Sequence, residues 1–224
     1  MKRNARLGLS LQLVALGIVL GYYLVPDIRA MLDLVGELKA SHGYGYSALA
    51  TALFGGIVPY GVLLATRRVS SNRLLAELAF YVGFWVWKGV EVDALYRAQG
   101  WLFGNTAAVG VVAAKVAVDQ FIYNPLWAAP TQAVCYLWKD AGFSVVRLRE
   151  RLRQEPLWRR VVVVLASTWV VWIPAVAIIY ALPAPLQVPL FNLVLCFWSV
   201  LLAFISSRQA ERLLTLASET PKTT

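Results

Sequence analysis

The sequence has little of what catalysis and metal binding require. Its 224 residues include one histidine, His42, and two cysteines, Cys135 and Cys196. A lone histidine lacks the partners that a general acid or base needs. Both cysteines fall inside apolar runs without metal-ligand spacing, so neither a disulfide nor a metal site is predicted. Because there is also no Ser/His pair and no His/Glu cluster, we predict neither an enzyme nor a bound cofactor.

Charge is also scarce. Charged residues make up 15% of the chain and hydrophobic residues 59%, with a mean hydropathy of +0.63. Soluble domains carry about 25% charged residues. This composition predicts a polytopic membrane protein, and we treat residues 1–224 as a single membrane domain.

Long apolar runs divide the chain into six predicted spans. A cleaved signal peptide is the alternative for residues 7–25, but the run is long and lacks a small-x-small cleavage site. Residues 27–41 predict an amphipathic helix in the membrane interface, with Lys39 on its polar face and an apolar face of Ile28, Met31, Leu32, Val35 and Leu38. The expected fold is an all-α membrane bundle with this interfacial helix and six transmembrane helices at about 7–25, 46–66, 74–96, 106–138, 161–182 and 186–207.

The positive residues predict the orientation. With the N-terminus in the cytoplasm, 16 of the 21 Lys and Arg residues fall in cytoplasmic segments and 3 in external ones. This bias predicts that both termini are cytoplasmic. The basic segment 139–160 is expected to contact anionic lipid headgroups and not nucleic acid. The expected location is a bacterial plasma membrane and not an organellar one.

The fourth span combines an apolar sequence with a group of polar side chains. Residues 106–138 are apolar almost throughout, yet they contain Lys115, Asp119, Gln120, Asn124 and Gln132. Lys115 and Asp119 are four residues apart and share a helix face, so we expect them to interact. An ionisable residue at the centre of a membrane helix costs about 2.5–3.5 kcal/mol, which interior partners or water can offset.

The same span is too long for one straight helix. Its 33 residues would extend about 50 Å at 1.5 Å per residue, whereas the bilayer core is roughly 30 Å thick. A bend between Ile122 and Pro130 is therefore predicted, with Asn124-Pro125 and Pro130 as break points.

The third span adds further charges, at Lys88, Glu91 and Asp93. Lys88 and Glu91 are three residues apart and can pair on one face. The alternative is an aromatic and charged belt at a helix end. Together the two spans supply the residues of a predicted pore or polar interior: Lys115, Asp119, Gln120, Lys88, Glu91, Asp93 and Asn124.

Short motifs run through the second half of the chain. They are Lys115, Asp119-Gln120 and Pro125, then Trp172-Ile173-Pro174, Pro183 with Pro185, Leu186-Gln187, Asn192 and Trp198-Ser199. In order and spacing, residues 30–207 resemble the family of the twenty-two-kilodalton peroxisomal membrane protein and its mitochondrial inner-membrane relatives, Mpv-seventeen and Sym-one. The resemblance implies a channel for small solutes.

Two functions remain open at this point. The first is a weakly selective channel for small polar metabolites or ions, in which Lys115 favours carboxylated or phosphorylated anions. The second is a non-conducting scaffold whose buried Lys115–Asp119 pair and Trp residues only join helices. The expected partners are the lipid bilayer, small solutes and further copies of the chain in a homo-oligomer. A cavity that reaches Asp119 would favour the channel.

Overall fold

The structure is a computed structural model that describes residues 2–66 and 73–200. Helices account for nearly all of these residues. Within these residues no β-strand is present, so the predicted all-α class is confirmed. Three parts of the sequence predictions lie outside the described residues: Arg67 with Arg68, the end of the sixth span at 201–207, and the C-terminal tail. Among the basic residues, the side chains of Lys2, Arg3, Arg6 and Arg160 are not described either.

Nine helices are found in the described chain, two pairs of which are joined by π-helical segments. The α-helices are α1 Lys2–Leu24, α2 Pro26–Thr51, α3 Val58–Ala65, α4 Leu74–Phe103, α5 Val109–Val118, α6 Ala129–Asp140, α7 Val145–Gln154, α8 Leu157–Tyr180 and α9 Ala184–Val200. The segment π1, Ala52–Ile57, joins α2 to α3, and π2, Asp119–Ala128, joins α5 to α6.

One helical stretch in the described chain is long and apolar enough to cross a membrane. It is Pro26–Ala65, with 40 residues, and it contains the second predicted span. Three shorter helices are also apolar: Gln12–Leu24, Thr168–Tyr180 and Ala184–Val200. The helices of the third and fourth predicted spans instead bury charged and amide side chains within their length.

Proline accounts for both π segments. Pro59 lies two residues after the end of π1, so the carbonyl four residues before it belongs to π1, and Pro125 lies inside π2. A proline has no N–H and its ring clashes with the carbonyl four residues earlier, so a wider helical turn relieves the clash. The predicted break point at Asn124-Pro125 lies in π2. The geometry already changes at Asp119, however, before the predicted bend between Ile122 and Pro130.

Helices α2 and α4 run antiparallel in close contact. Ser47 bonds Asp93 at one end of the contact, and Tyr60, beyond π1, reaches Leu74 at the other end. Between them, a Cβ at Gly89 would lie 2.8 Å from Cβ of Thr51 and closer still to the carbonyl oxygen of Ser47. Glycine is therefore required for this approach of the two backbones.

The amphipathic helix is oriented differently from the prediction. It forms the first part of α2, which leaves helical geometry at Gly43 (φ 53°, ψ −125°). On its predicted apolar face Met31 and Leu38 are exposed, whereas Lys39 from the predicted polar face is buried. The solvated position predicted for Lys39 is wrong because its ammonium group has a carboxylate partner inside the bundle, Asp93.

The largest apolar cluster lies where α1, α4, α8 and α9 meet. Its most completely buried members are Ala175 and Ile179 of α8. The hydroxyl of Tyr23 at the end of α1 donates to the carbonyl of Ala181 at 2.7 Å, which fixes α1 along α8. This cluster supports one side of the polar interior described next.

Candidate functional site

A cavity of about 780 Å³ lies inside the helix bundle. Its wall includes Tyr96 and Val176 near the C-terminal ends of α4 and α8, and Leu63 and Val161 toward the opposite end of the bundle. Pockets that hold small organic molecules have volumes of roughly 300–1,000 Å³. The cavity also reaches Asp119. A cavity at this residue is the observation that was expected to favour a channel over a scaffold.

The cavity wall combines a few polar side chains with many aromatic ones. Four of the seven predicted interior residues line it, namely Lys88, Asp119, Gln120 and Asn124, and Gln132 joins them. Lys115, Glu91 and Asp93 are not part of the wall. The aromatic lining comprises Tyr60, Tyr81, Trp85, Tyr96, Tyr123, Tyr136, Trp172, Phe191 and Trp198.

Asp119 stands at the centre of a directed chain of hydrogen bonds. Gln99 of α4 donates to the hydroxyl of Tyr180 at 2.8 Å, and this hydroxyl donates to Oδ2 of Asp119 at 2.8 Å. The Gln120 amide donates to the other carboxylate oxygen at 2.9 Å, and Asn124 donates to Gln120 at 3.4 Å. The network joins α4, π2 and α8 beside the cavity.

Lys115 does not pair with Asp119, so the expected interaction between them is wrong. None of the ion pairs formed by the described residues includes either side chain. Lys115 is 1% exposed, and its ammonium nitrogen lies 5.6 Å from the centroid of the Tyr180 ring. Tyr180 thus serves both residues, since its ring faces the ammonium group and its hydroxyl binds the carboxylate.

The π2 segment leaves one backbone carbonyl without its helical donor. In π geometry the carbonyl of Gln120 would accept from the N–H of residue 125, which proline lacks. The indole Nε1 of Trp169 donates to this carbonyl at 3.1 Å. Trp169 of α8 therefore satisfies a buried acceptor that Pro125 leaves open.

A second polar cluster lies between α4, π2 and α6. Lys88 donates to Glu91 at 2.7 Å, as the three-residue spacing predicted, and this pairing is confirmed. Lys88 also donates to Thr131 at 2.9 Å, and Tyr123 donates to the same oxygen of Glu91. The other Glu91 oxygen is buried and has no hydrogen-bond partner among the described residues.

Asp93 belongs to a third cluster, at the contact between α2 and α4. It accepts from Lys39 at 2.9 Å, from Ser47 at 2.8 Å and from Arg97 at 3.0 Å. The guanidinium of Arg97 also lies over the ring of Tyr44, 4.6 Å from the centroid. This cluster joins helices across the break at Gly43 and lies away from the cavity wall.

The motif residues of the second half are distributed through the same bundle. Trp172, Trp198 and Ser199 line the cavity, and Asn192 accepts from the Thr51 hydroxyl at 2.8 Å. Pro174 lies inside α8. The carbonyl of Pro183 accepts from the backbone N–H of Leu186 at 2.9 Å, which closes the turn into α9.

Sequence reasoning did not identify several residues on which the site depends. Lys39, Arg97, Gln99, Trp169 and Tyr180 complete the polar clusters from distant parts of the chain. The one available signal was a polar or hydroxyl-bearing side chain at the end of an apolar helix, as at Gln99 and Tyr180.

The family resemblance stays a prediction from motif residues. Comparisons of this chain with protein-family models, with curated proteins and with solved structures find no match.

Proposed function

We propose that the chain is a multi-pass membrane protein. Among the described residues, large apolar side chains such as Leu75 and Val109 are 84% and 86% exposed. Polar side chains such as Gln99, Lys115 and Asn192 are instead almost completely buried. A soluble protein has the reverse arrangement. Lipid contact accounts for the exposed apolar surface, and the cost of polar groups in hydrocarbon accounts for their burial between helices.

The orientation that we propose places α7 on the cytoplasmic side. This helix begins after Ser144, whose side chain accepts from the backbone N–H of Arg147. Its arginines, Arg147, Arg149, Arg151 and Arg153, are exposed, and so are the apolar residues Val145 and Val146. An amphipathic basic helix of this kind lies well at a membrane surface, with its arginines toward anionic lipid headgroups.

The function that the geometry supports best is the passage of small polar solutes through the bundle. The observation that carries this proposal is the cavity of about 780 Å³ that reaches Asp119. The cavity wall carries amide and charged side chains, and these can replace part of the hydration of a polar solute. The resemblance in the second half of the chain implies the same function.

We infer that the constriction of this path is the hydrogen-bonded chain Gln99–Tyr180–Asp119, which meets the cavity at Asp119. It links three helical segments where α4 and α8 approach their C-terminal ends. A solute that leaves the cavity between these helices has to separate the three side chains. The number and sign of the charges at such a point, together with its width, set which solutes pass.

A non-conducting scaffold is the second candidate, and specific contacts favour it. In the Lys39–Asp93 and Lys88–Glu91 pairs each charge is neutralised by its partner, so neither pair offers a free charge to a path. Lys39–Asp93 joins α2 to α4, as a structural role requires. The two candidates differ in whether the cavity conducts.

Solute flux into liposomes that contain the purified protein tests the proposal. Stopped-flow light scattering would follow the entry of neutral polyols of increasing size. We expect uptake faster than in empty liposomes, with a size cutoff. Tyr180→Phe should raise the rate several-fold, because it removes the hydroxyl that bonds both Gln99 and Asp119.

Tyr23→Phe is the matched control. It also removes one phenolic hydroxyl, but that hydroxyl bonds the carbonyl of Ala181 and neither Gln99 nor Asp119. The rate should therefore stay at the wild-type value. Folded wild-type and Tyr180→Phe proteins that are no faster than empty liposomes would reject the solute path and favour the scaffold.

A further inference from the structure

We propose that the cavity binds an amphipathic organic monocation and that Asp119 is its counter-ion. The inference rests on the proposed function in one respect, since it names the class of solute that the path takes. Asp119 lines the cavity, and its oxygens accept only from neutral donors in the described chain, the Tyr180 hydroxyl and the Gln120 amide. No described cation lies within ion-pair distance of it.

Charge balance at the cavity wall points to a cationic ligand. Lys88 also lines the cavity, but Glu91 already neutralises it at 2.7 Å. Lys115 is not part of the wall, and its ammonium group lies over the Tyr180 ring. The charge that faces the cavity without a paired ion is therefore negative. A carboxylate in a low-dielectric interior interacts strongly with a nearby ion of opposite sign.

The aromatic walls define the rest of the ligand. Tyr96, Tyr123, Trp172 and Phe191 line the cavity together with Asp119. Aromatic faces attract organic cations through the ring quadrupole, and they also pack against an apolar body. A single positive charge on an aromatic or aliphatic frame matches this surface. The phosphorylated or carboxylated anions expected from Lys115 do not, because the charge at the wall has the wrong sign.

Two ions of nearly equal size and opposite charge test the inference directly. Tetraphenylphosphonium is the cation and tetraphenylborate the anion. Equilibrium dialysis would measure the binding of each ion to the full-length protein in detergent. A parallel dialysis against protein-free micelles, at the same detergent concentration, corrects for partition of the ion into micelles. We expect the wild-type protein to bind the cation at least roughly tenfold more tightly than the anion. Equal binding, or tighter binding of the anion, would overturn the proposal without any variant.

Three variants locate the site. Asp119→Asn keeps the side-chain shape and should abolish the preference for the cation, whereas Asp140→Asn removes an exposed carboxylate outside the cavity and should leave the preference unchanged. Ala133→Phe fills part of the cavity and should weaken binding of both ions. An unchanged preference in Asp119→Asn, a preference lost in Asp140→Asn, or unchanged binding in Ala133→Phe would each refute the assignment.

Binding and flux fail independently, so the two proposals can be separated. Selective cation binding without polyol flux would reject the solute path and retain the cation site. Polyol flux without selective cation binding would retain the path and reject Asp119 as a counter-ion.

Discussion

The ion pair between Lys39 and Asp93 should stabilise the fold strongly. Replacing Asp93 should lower the free energy of unfolding more than replacing Lys39. The two side chains are 5% and 4% exposed, and Nζ lies 2.9 Å from Oδ2. Asp93 also accepts from Ser47 and from Arg97, whose side chain is 51% exposed. The carboxylate is thus the common partner of one buried cation and one cation that water can reach.

The expected losses of unfolding free energy follow from this arrangement. Asp93→Asn strands the buried ammonium of Lys39 and should cost about 3–5 kcal/mol, as when one member of a buried pair is removed. Lys39→Met should cost roughly 1–3 kcal/mol, because Asp93 keeps Arg97 and Ser47 as donors. Arg97→Met removes a half-exposed pair and should cost roughly 1 kcal/mol or less.

A double-mutant cycle in detergent micelles measures these values. Unfolding would be titrated with sodium dodecyl sulfate and followed by circular dichroism, which also reports whether each variant folds. The double variant Lys39→Met with Asp93→Asn has no stranded ammonium. Its loss of unfolding free energy should therefore be smaller than the sum of the two single-variant losses by about 1 kcal/mol or more. Additive losses, or Arg97→Met as costly as Asp93→Asn, would refute the assignment of the pair as buried and coupled.

Three further outcomes are expected. Trp169→Phe should lower the unfolding free energy by about 1–2 kcal/mol in the same titration, because the π2 carbonyl loses its donor; an unchanged midpoint would argue against that bond. Gly89→Ala should lower the free energy of unfolding by about 1–3 kcal/mol, because the added methyl group overlaps α2. Gly83→Ala is the control: nothing lies within 4 Å of its added Cβ, so it should be neutral or slightly stabilising. In a background without native cysteines, Ser41→Cys should react with an impermeant maleimide in intact cells and Gln154→Cys only after lysis; reaction of both in intact cells would overturn the topology.

Patterns local in sequence predicted the local features of the structure. The all-α class follows from long apolar runs, and the Lys88–Glu91 pair follows from a spacing of three residues on one helix. The irregular fourth segment follows from its length and from Pro125. In each case the cause lies within one helical segment, where periodicity and backbone chemistry carry the information.

Contacts between distant segments could not be predicted in the same way. Lys39 meets Asp93 across 54 residues, and Asp119 meets Tyr180 across 61. Helical periodicity shows which residues share a face, but not which medium or helix that face contacts. The amphipathic part of α2 illustrates this point, since Met31 and Leu38 of its apolar face are exposed and its lysine is buried. Exposed apolar side chains are favourable against lipid and costly against water, and a paired charge can be buried in either medium.

Two backbone irregularities border the cavity. Gly55 in π1 and Asp119 in π2 both line it, although they lie far apart in sequence. A π turn is wider than an α turn, and it changes the direction of the side chains that follow. Because Pro125 removes a donor at this point, the hydrogen bond from Trp169 to the freed carbonyl stabilises π2. Side chains of α8 therefore bind both the backbone of π2 and the carboxylate of Asp119, so movement of α8 would alter the position of Asp119 in the cavity wall.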